Sequence, residues 1–235
     1  MIARFARNGR TLSGDQAAAL TGILTSGAAV EVIAAPAGTG KSFLIGTLAE
    51  TWTRTGTPAP GPGEAPTGPG GAPVVPGEHE GPRVFGVAYG QRQADILTED
   101  GVTARNIRAW LDGQTRLDTG AANPTDETFR LRAGDLLVVD EAGAADTASL
   151  VAIHRRCQTA GVKLLLVGDP RQIGAVGPGG ALVDIAERGI TYELAEVRRF
   201  ANAWEGPASL RLRDGDTSVL GEYAKHGRLV DAGTV

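Results

Sequence analysis

One short stretch of the chain combines the residue types that can bind a phosphate group. It reads APAGTGKS over residues 35–42. Glycines allow backbone amides to face a bound anion, a lysine adds positive charge, and a serine hydroxyl is a ligand for Mg²⁺. The residues that we predict to bind nucleotide phosphates are Pro36, Ala37, Gly38, Thr39, Gly40, Lys41 and Ser42.

This stretch departs at one position from the usual pattern G-x-x-x-x-G-K-[ST], because Ala35 stands where a glycine is expected. The first glycine permits special backbone geometry at the entrance of the loop. A negative φ at Ala35 leaves its methyl group harmless, whereas a positive φ would cost about 1 kcal/mol. We therefore expect the loop to bind nucleotide.

Acidic and amide side chains follow two later apolar runs. Asp140 and Glu141 come directly after LLVVD, and Gln172 lies in the Pro- and Gly-rich segment GDPRQ. A carboxylate at a strand end can hold Mg²⁺, and a second one can polarise an attacking water. The alternative for this acidic pair is a charge cluster that stabilises the start of a helix.

Predicted strands and helices alternate along the chain and would place these residues together. Helical patterns separate five apolar runs, which indicates an α/β fold with a parallel sheet covered by helices on both faces. In such sheets ligands bind at the carboxyl ends of the strands. The predicted strands are Val30–Ala34, Val84–Ala88, Leu136–Asp140, Leu164–Gly168 and Ile190–Leu194. The predicted helices are Gly14–Ser26, Lys41–Thr53, Gln91–Glu99, Thr147–Ala160 and Gly180–Glu187.

Composition excludes several classes of protein. The 235 residues are 42% hydrophobic and carry a net charge of −4, so a generally basic DNA-binding protein is excluded and any nucleic-acid contact must be local. No apolar run approaches the roughly 20 residues of a membrane span, and the first residues lack the apolar core of a signal peptide. The single cysteine, Cys157, cannot form a disulfide within the chain, so we expect a cytoplasmic location, where thiols stay reduced.

One segment has a different composition from the rest. Residues 55–82 contain eight of the 13 prolines and eight of the 34 glycines. Proline removes backbone donors and glycine raises chain entropy, so we predict a disordered surface loop. Because predicted strands of one sheet flank it, we interpret it as an insertion within a domain.

Taken together, these motifs resemble those of a known family. The segments TLSGDQAAAL, APAGTGKS, VVDEAG, GDPRQIGAVGPGGAL and VRRFANAWEGPASLRLRDGD are similar to the first motor domain of RecD-like superfamily 1B DNA helicases. The similarity is greatest to the helicase portion of conjugative relaxases of the TraI/TrwC (MobF) type. It implies a P-loop NTPase of RecA-like fold that uses ATP and Mg²⁺, with Ser42 and Asp140 at the metal and Lys41 and Glu141 in catalysis.

The resemblance also assigns roles to residues outside these two motifs. Gln16 resembles the glutamine that reads adenine, and Gln172 resembles the glutamine that senses the γ-phosphate. Arg199 resembles the arginine that neutralises charge in the transition state, with Arg198 as the rival for that role.

Contact with single-stranded DNA is implied for the segment VAYGQRQADIL. There Tyr89 replaces a smaller residue of many relatives and could stack on a base. Arg92, Arg105 and Arg108 are candidates for positive charge near the DNA groove, although scattered arginines are usually solvated.

The family pattern predicts the organisation of the chain. Residues 1–197 would be the first RecA-like domain and residues 198–235 the truncated start of the second motor domain. Motifs of that second domain, and of a relaxase domain, are absent from the sequence, so the fragment should have weak or no activity alone. The alternative is an ATP-dependent DNA-binding or tethering module without turnover. A small-molecule P-loop kinase is disfavoured, because it needs neither GDPRQ nor VRRF.

Overall fold

The computed structural model describes residues 6–7, 10–55, 81–172, 180–195, 200 and 202–229. In these residues a six-stranded sheet forms the centre of the molecule, and its strands pair in the order β5-β4-β6-β7-β3-β8. All of its pairings are parallel. The strands are β3 (Val30–Ala34), β4 (Val84–Ala88), β5 (Thr103–Asn106), β6 (Leu136–Asp140), β7 (Lys163–Gly168) and β8 (Ile190–Glu193). A short antiparallel ribbon, β1 (Ala6–Arg7) with β2 (Arg10–Thr11), precedes them.

Helices cover both faces of this sheet. Side chains from α1, α2 and α3 pack on one face, and side chains from α4, α6 and α7 pack on the other. The helices are α1 (Gly14–Thr25), α2 (Lys41–Thr55), α3 (Gln91–Glu99), α4 (Ile107–Thr119), α5 (Pro124–Thr128), α6 (Thr147–Ala160), α7 (Ala181–Arg188), α8 (Glu205–Arg213) and α9 (Leu220–Lys225). Strands buried on both faces need near-continuous apolar runs, as β4 and β6 show. The predicted α/β fold class is confirmed.

A buried ion pair fixes α1 against the sheet. Lys163 Nζ lies 3.0 Å from Glu31 Oε2, and both side chains are almost fully buried. The same ammonium donates hydrogen bonds to the carbonyls of Ile23 and Ser26 at the end of α1, each at 2.9 Å. Because a buried charge is tolerated only when it is paired, this cluster fixes the position of α1 relative to β3 and β7.

Two of the sequence predictions fall on residues outside the described ranges. Of the predicted disordered loop, the structure describes only Thr55, as the last residue of α2, and residues 81 and 82. Arg198 and Arg199 also lie outside the described residues. Among the helices that are described, none is both long enough and apolar enough to cross a membrane.

Candidate nucleotide-binding site

The loops that carry the predicted site meet at one edge of the sheet. In the strand order, β7 lies between β6 and β3, and Ala34 pairs with Gly168 at the carboxyl ends of β3 and β7. The segments that follow these three strands are therefore neighbours. They contain the phosphate-binding loop, the acidic pair and GDPRQ.

The predicted phosphate-binding loop has a backbone geometry compatible with anion binding. Gly38 and Gly40 have φ values of 88° and 78°, in the left-handed region that glycine adopts without strain. The Thr39 hydroxyl donates to the Pro36 carbonyl at 2.9 Å and closes the turn. Helix α2 then begins at Lys41, so its unpaired amides and its dipole favour a negative charge at the loop.

Ala35 fits into the loop without distortion. Its side chain is fully buried, and its amide donates to the Gly168 carbonyl at 2.8 Å. In the described part of the chain, the one non-glycine residue with positive φ is Glu141, so Ala35 carries no such strain. The alanine at this position is therefore compatible with an intact loop.

An ion pair joins the two motifs across the edge of the sheet. Lys41 Nζ lies 2.7 Å from Glu141 Oε1, although 100 residues separate them in the chain. The lysine side chain is 13% exposed and the glutamate side chain 38%. Asp140, adjacent in sequence to Glu141, is 9% exposed. These side chains form one polar cluster directly beside the phosphate-binding loop.

Glu141, which contributes its carboxylate to this cluster, has a strained backbone conformation. Glu141 has φ 51° and ψ 41° and begins the short 3-10 helix Ala142–Ala144. Its amide donates to Asp140 Oδ1 at 3.0 Å, and its carbonyl accepts from the Ala144 amide at 2.9 Å. A left-handed conformation costs a non-glycine residue about 1–2 kcal/mol, and such strain is concentrated at functional sites.

The oxygen atoms beside the loop are of the type that binds Mg²⁺. Burial raises the pKa of Asp140, Lys41 lowers it, and Glu141 raises it again, with a net increase. A nearby cation would offset both of the effects that raise it. Mg²⁺ is commonly held by one or two protein oxygens together with substrate phosphates, and the Ser42 hydroxyl and Asp140 carboxylate fit that donor set. The described residues contain no group of three or more acidic, His or Cys side chains placed to hold a metal ion by themselves.

Gln16 is buried and bonds to the phosphate-binding loop. Its Nε2 donates to the Thr39 carbonyl at 2.8 Å, and its Oε1 accepts from the Ser13 amide at 3.0 Å. The second bond also caps the start of α1. Because backbone groups engage both ends of the amide, recognition of adenine by Gln16 would use the second lone pair of Oε1 and the second N–H of Nε2.

GDPRQ supplies a second buried carboxylate that the sequence analysis missed. Asp169 lies directly after β7 and is 5% exposed, and Gln172 Nε2 donates to its Oδ2 at 3.2 Å. The preceding Gly168 allows close packing, because a Cβ there would lie 3.3 Å from the amide nitrogens of Ala142 and Gly143. The position of Asp169, directly after a buried apolar strand, is the signal that could have identified it.

The predicted DNA-facing residues divide into two groups. Tyr89 is 53% exposed directly after β4, and Arg92 is exposed nearby on α3. Arg108 is also exposed, and it pairs with Asp112 on the same helix at 3.2 Å. Arg105 instead donates to the buried Asp126 at 2.9 Å, so it stabilises the fold and is not a free positive charge.

Comparison with known proteins identifies relatives of the whole chain. The AAA domain family model matches residues 11–234. A probable conjugal transfer protein TraA from Sinorhizobium fredii is 28% identical over 97% of the chain, and the conjugal transfer protein TraA from Agrobacterium fabrum is 26% identical over 98%. The chain spans 18% of the length of each of these proteins.

Solved structures share the fold. The Pif1 helicase from Candida albicans has a TM-score of 0.57 and 17% identity, covering 95% of this chain and 50% of that one. A Pif1 structure described for DNA unwinding at forked double-stranded DNA has a TM-score of 0.58 and 13% identity, covering 93% of this chain and 52% of that one. The matches confirm the predicted RecA-like fold and the resemblance to a superfamily 1B helicase domain related to conjugative relaxases.

Proposed function

Because this chain belongs to the AAA domain family, we propose that it is the ATP-binding and ATP-hydrolysing first motor domain of a superfamily 1B DNA helicase. The parent protein would be a conjugative relaxase and helicase. The observation that carries the proposal is the Lys41–Glu141 ion pair, at 2.7 Å, beside Asp140 and a loop with left-handed glycines. Binding of phosphate and activation of water need these groups together.

Each residue of the cluster has a role in this proposal. The amides of residues 38–42 bind the phosphates, and Lys41 exchanges the Glu141 carboxylate for the terminal phosphate groups. Glu141, released from the lysine, accepts a hydrogen bond from a water molecule and takes its proton as the water oxygen bonds to the γ-phosphorus. The bond from that phosphorus to the oxygen bridging it to ADP breaks, so the products are ADP and phosphate. Ser42 and Asp140 would hold Mg²⁺, which supplies charge stabilisation when bound.

Single-stranded DNA is the proposed second ligand. Tyr89 and Arg92 lie after β4, at the same edge of the sheet as the nucleotide site. An exposed aromatic ring stacks on a base, and an exposed guanidinium contacts a phosphate. We also propose that residues 198–235 begin the second motor domain, and that a relaxase domain belongs to the same parent protein. Without the second domain, the isolated chain would hydrolyse ATP weakly and would not unwind DNA.

A tethering module that binds ATP without turnover is the alternative. It would need the phosphate-binding loop but no carboxylate for water activation. The strained backbone of Glu141 and the position of its side chain beside Lys41 favour hydrolysis.

The test is Mg-ATP turnover with and without single-stranded DNA, measured for the wild type and for Lys41→Ala. Lys225→Ala is a matched control, because this lysine lies exposed on α9. We expect turnover that DNA stimulates, lost in Lys41→Ala and retained in Lys225→Ala.

Binding without turnover, even with the second motor domain supplied in trans, would favour the tethering module. Absence of any Mg-ATP binding by the wild type would contradict both functions.

A further inference from the structure

Two ion pairs of different exposure join GDPRQ to the end of α8. Arg213 donates to Asp169 through both Nε and Nη2, and the Nε–Oδ2 distance is 2.8 Å. This pair is largely buried, with 20% of the arginine and 1% of the aspartate side chain exposed. The second pair, Arg171 with Asp214 at 2.6 Å, is 58% and 47% exposed. Since buried charges interact more strongly than exposed ones, the Arg213–Asp169 pair is the stronger link.

The Asp169 carboxylate also holds the residue predicted to sense the γ-phosphate. Besides Arg213, it accepts the Arg171 amide at 3.1 Å and the Gln172 side-chain amide at 3.2 Å. Burial raises the pKa of Asp169, but the hydrogen bonds and charge of Arg213, the Arg171 amide and Gln172 more than compensate and hold it below its usual range. Asp169 therefore stays charged, and Arg213 and Gln172 share its Oδ2 atom.

A cavity separates α8 from the sheet next to this link. It measures about 600 Å³ and is lined by Ala34 and Pro36 on the side of the phosphate-binding loop and by Leu210 and Arg213 on the side of α8. Among the described residues, the direct polar contacts between GDPRQ and α8 are the two ion pairs. The Arg213–Asp169 pair is thus the most buried polar contact between α8 and GDPRQ in the described part of the chain.

We propose that Arg213 is a positioning residue, which acts through Asp169 to set the availability of Gln172 for the γ-phosphate. The inference rests on the proposed function and on the contact with that phosphate that the family resemblance implies for Gln172. In this inference, α8 is coupled to the nucleotide site through Arg213 and Asp169.

The geometry gives the direction of the effect. To contact a phosphate, the Gln172 amide must leave Asp169. While Arg213 satisfies both carboxylate oxygens, Gln172 is a supplementary donor and leaves at little cost. Without Arg213, Gln172 becomes the main side-chain donor to a buried charge and is held away from the nucleotide. Loss of Arg213 should therefore weaken the binding of ATP relative to ADP.

The experiment measures the ratio of the dissociation constants for Mg-ADP and a Mg-bound, non-hydrolysable ATP analogue. The proteins are the wild type, Arg213→Met, Gln172→Ala, the double variant and Arg171→Met. Arg171→Met is the matched control, since it breaks the exposed ion pair between the same two segments. We expect the ratio to fall about fivefold or more in Arg213→Met. It should fall no further in the double variant than in Gln172→Ala, and it should stay within about twofold of the wild type in Arg171→Met.

A second variant allows for misfolding. Arg213→Met leaves Asp169 as an unpaired buried charge, so its melting temperature is measured alongside. Arg213→Lys keeps the charge but cannot form both hydrogen bonds, because an ammonium lacks the planar fork. We expect it to fold and to give a ratio between those of the wild type and Gln172→Ala, and it carries the test if Arg213→Met does not fold.

The outcomes separate this inference from the proposed function. If the wild type prefers the ATP analogue, Lys41→Ala abolishes binding, and the folded Arg213 variants keep the wild-type ratio, the inference alone is wrong. The inference would also be wrong if the double variant lowered the ratio by the full product of the two single effects, since Arg213 and Gln172 would then act independently. If the wild type binds no nucleotide, the proposed function fails and the inference fails with it.

Discussion

At the scale of single residues, Glu141 shows how backbone conformation and side-chain chemistry are linked. It is the one non-glycine residue with positive φ in the described part of the chain, and its carboxylate contacts Lys41. The ion pair satisfies both charges in this structure. A nucleotide phosphate competes with Glu141 for the same lysine, so binding of ATP and release of the glutamate are coupled in the proposed function.

Glu141→Gln is expected to separate nucleotide binding from hydrolysis. The amide cannot accept a proton from water, so turnover should fall about 100-fold or more. Affinity for Mg-ATP should stay the same or increase, because Lys41 no longer has a charged partner. Single-turnover hydrolysis with protein in excess and nucleotide titration measure the two quantities. Glu127→Gln, at an exposed ion pair on the surface, is the control. Unchanged hydrolysis in Glu141→Gln would show that another group activates the water.

Ala35→Gly and Gly40→Ala are expected to have very different effects on the affinity for ATP. Ala35 needs no positive φ, so its replacement should leave the ATP dissociation constant within about twofold and lower the free energy of unfolding by about 1 kcal/mol. Gly40 has φ 78°, and a Cβ there would lie 2.6 Å from Gln16 Nε2. Gly40→Ala should weaken ATP binding about tenfold, since a left-handed alanine costs about 1–2 kcal/mol. Equal effects of the two changes on ATP titration would contradict the assigned geometry of the loop.

Gln16→Ala tests whether this side chain reads the base or holds the loop. Its amide bonds to Ser13 and Thr39, so its loss should weaken binding of ATP and GTP by a similar factor, about fivefold. Competition titrations with both nucleotides measure this, with the exposed Gln158→Ala as the control. Weaker binding of ATP alone would instead support the adenine recognition that the family resemblance implies.

At the scale of elements, one buried carboxylate joins β5, α4 and α5. Asp126 is fully buried and accepts from Arg105 at 2.9 Å and from Arg116 twice at 2.8 Å. Gly113 leaves room for it, because a Cβ at that position would lie 2.8 Å from Asp126 Oδ1. These contacts hold together β5, α4 and α5, the elements that form this side of the sheet and come after Tyr89 in the chain.

Asp126→Asn is expected to lower the stability of the protein at pH 7 and to make that stability less sensitive to a fall in pH. The hydrogen bond from Arg116, followed by that from Arg105, lowers the pKa of Asp126 well below its usual range, although burial opposes this. A carboxyl whose folded pKa is depressed stabilises the protein above its unfolded pKa of about 4. That contribution is lost as the pH falls from there toward the folded pKa.

Melting temperatures at pH 7 and at pH 3 measure the effect. Asp126→Asn should lower the value at pH 7 by about 6 °C or more and should show a smaller further loss at pH 3 than the wild type. Asp118→Asn removes a carboxylate that is 63% exposed and should behave like the wild type. If the melting temperature fell equally between pH 7 and pH 3 in the wild type and in Asp126→Asn, other groups would be responsible for the loss of stability in acid.

At the scale of the whole molecule, net charge limits the proposed binding of DNA to a local surface. The chain carries −4, so long-range attraction to a polyanion is not available and binding must use a local surface. The exposed Tyr89 and Arg92 lie at one edge of the sheet. The TraA relatives are several times longer than this chain.

Binding of single-stranded DNA should therefore depend weakly on salt and strongly on Tyr89. Each phosphate contact contributes about −0.7 to the slope of log affinity against log salt concentration, so the exposed Arg92 and Arg108 would give a total of about −1.4. Tyr89→Ala should weaken binding about tenfold through lost stacking. Fluorescence anisotropy with an oligothymidine measures both, and Ile190→Ala, exposed on the opposite edge strand, is the control. A slope steeper than about −5 would require a broad basic surface and contradict the local one.

The sequence by itself determined the fold class and most of the elements. The strands β3, β4, β6, β7 and β8 lie within one residue of the predicted runs. For β4, β6 and β7 the reason is that strands buried on both faces are almost continuously apolar. The strand β5 was missed, since Thr103–Asn106 is polar, half-exposed and at the edge of the sheet. Its pairing with β4 depends on tertiary context.

Only the tertiary structure decided which side chains of the candidate site are in direct contact. Lys41 and Glu141, and likewise Asp169 and Arg213, are remote in sequence and adjacent in space. Local patterns predict where strands end, but not the strand order that brings the ends of β3, β6 and β7 together. The roles proposed for the site residues remain predictions, whereas their proximity follows from the parallel sheet, which collects the carboxyl ends of its strands at one edge.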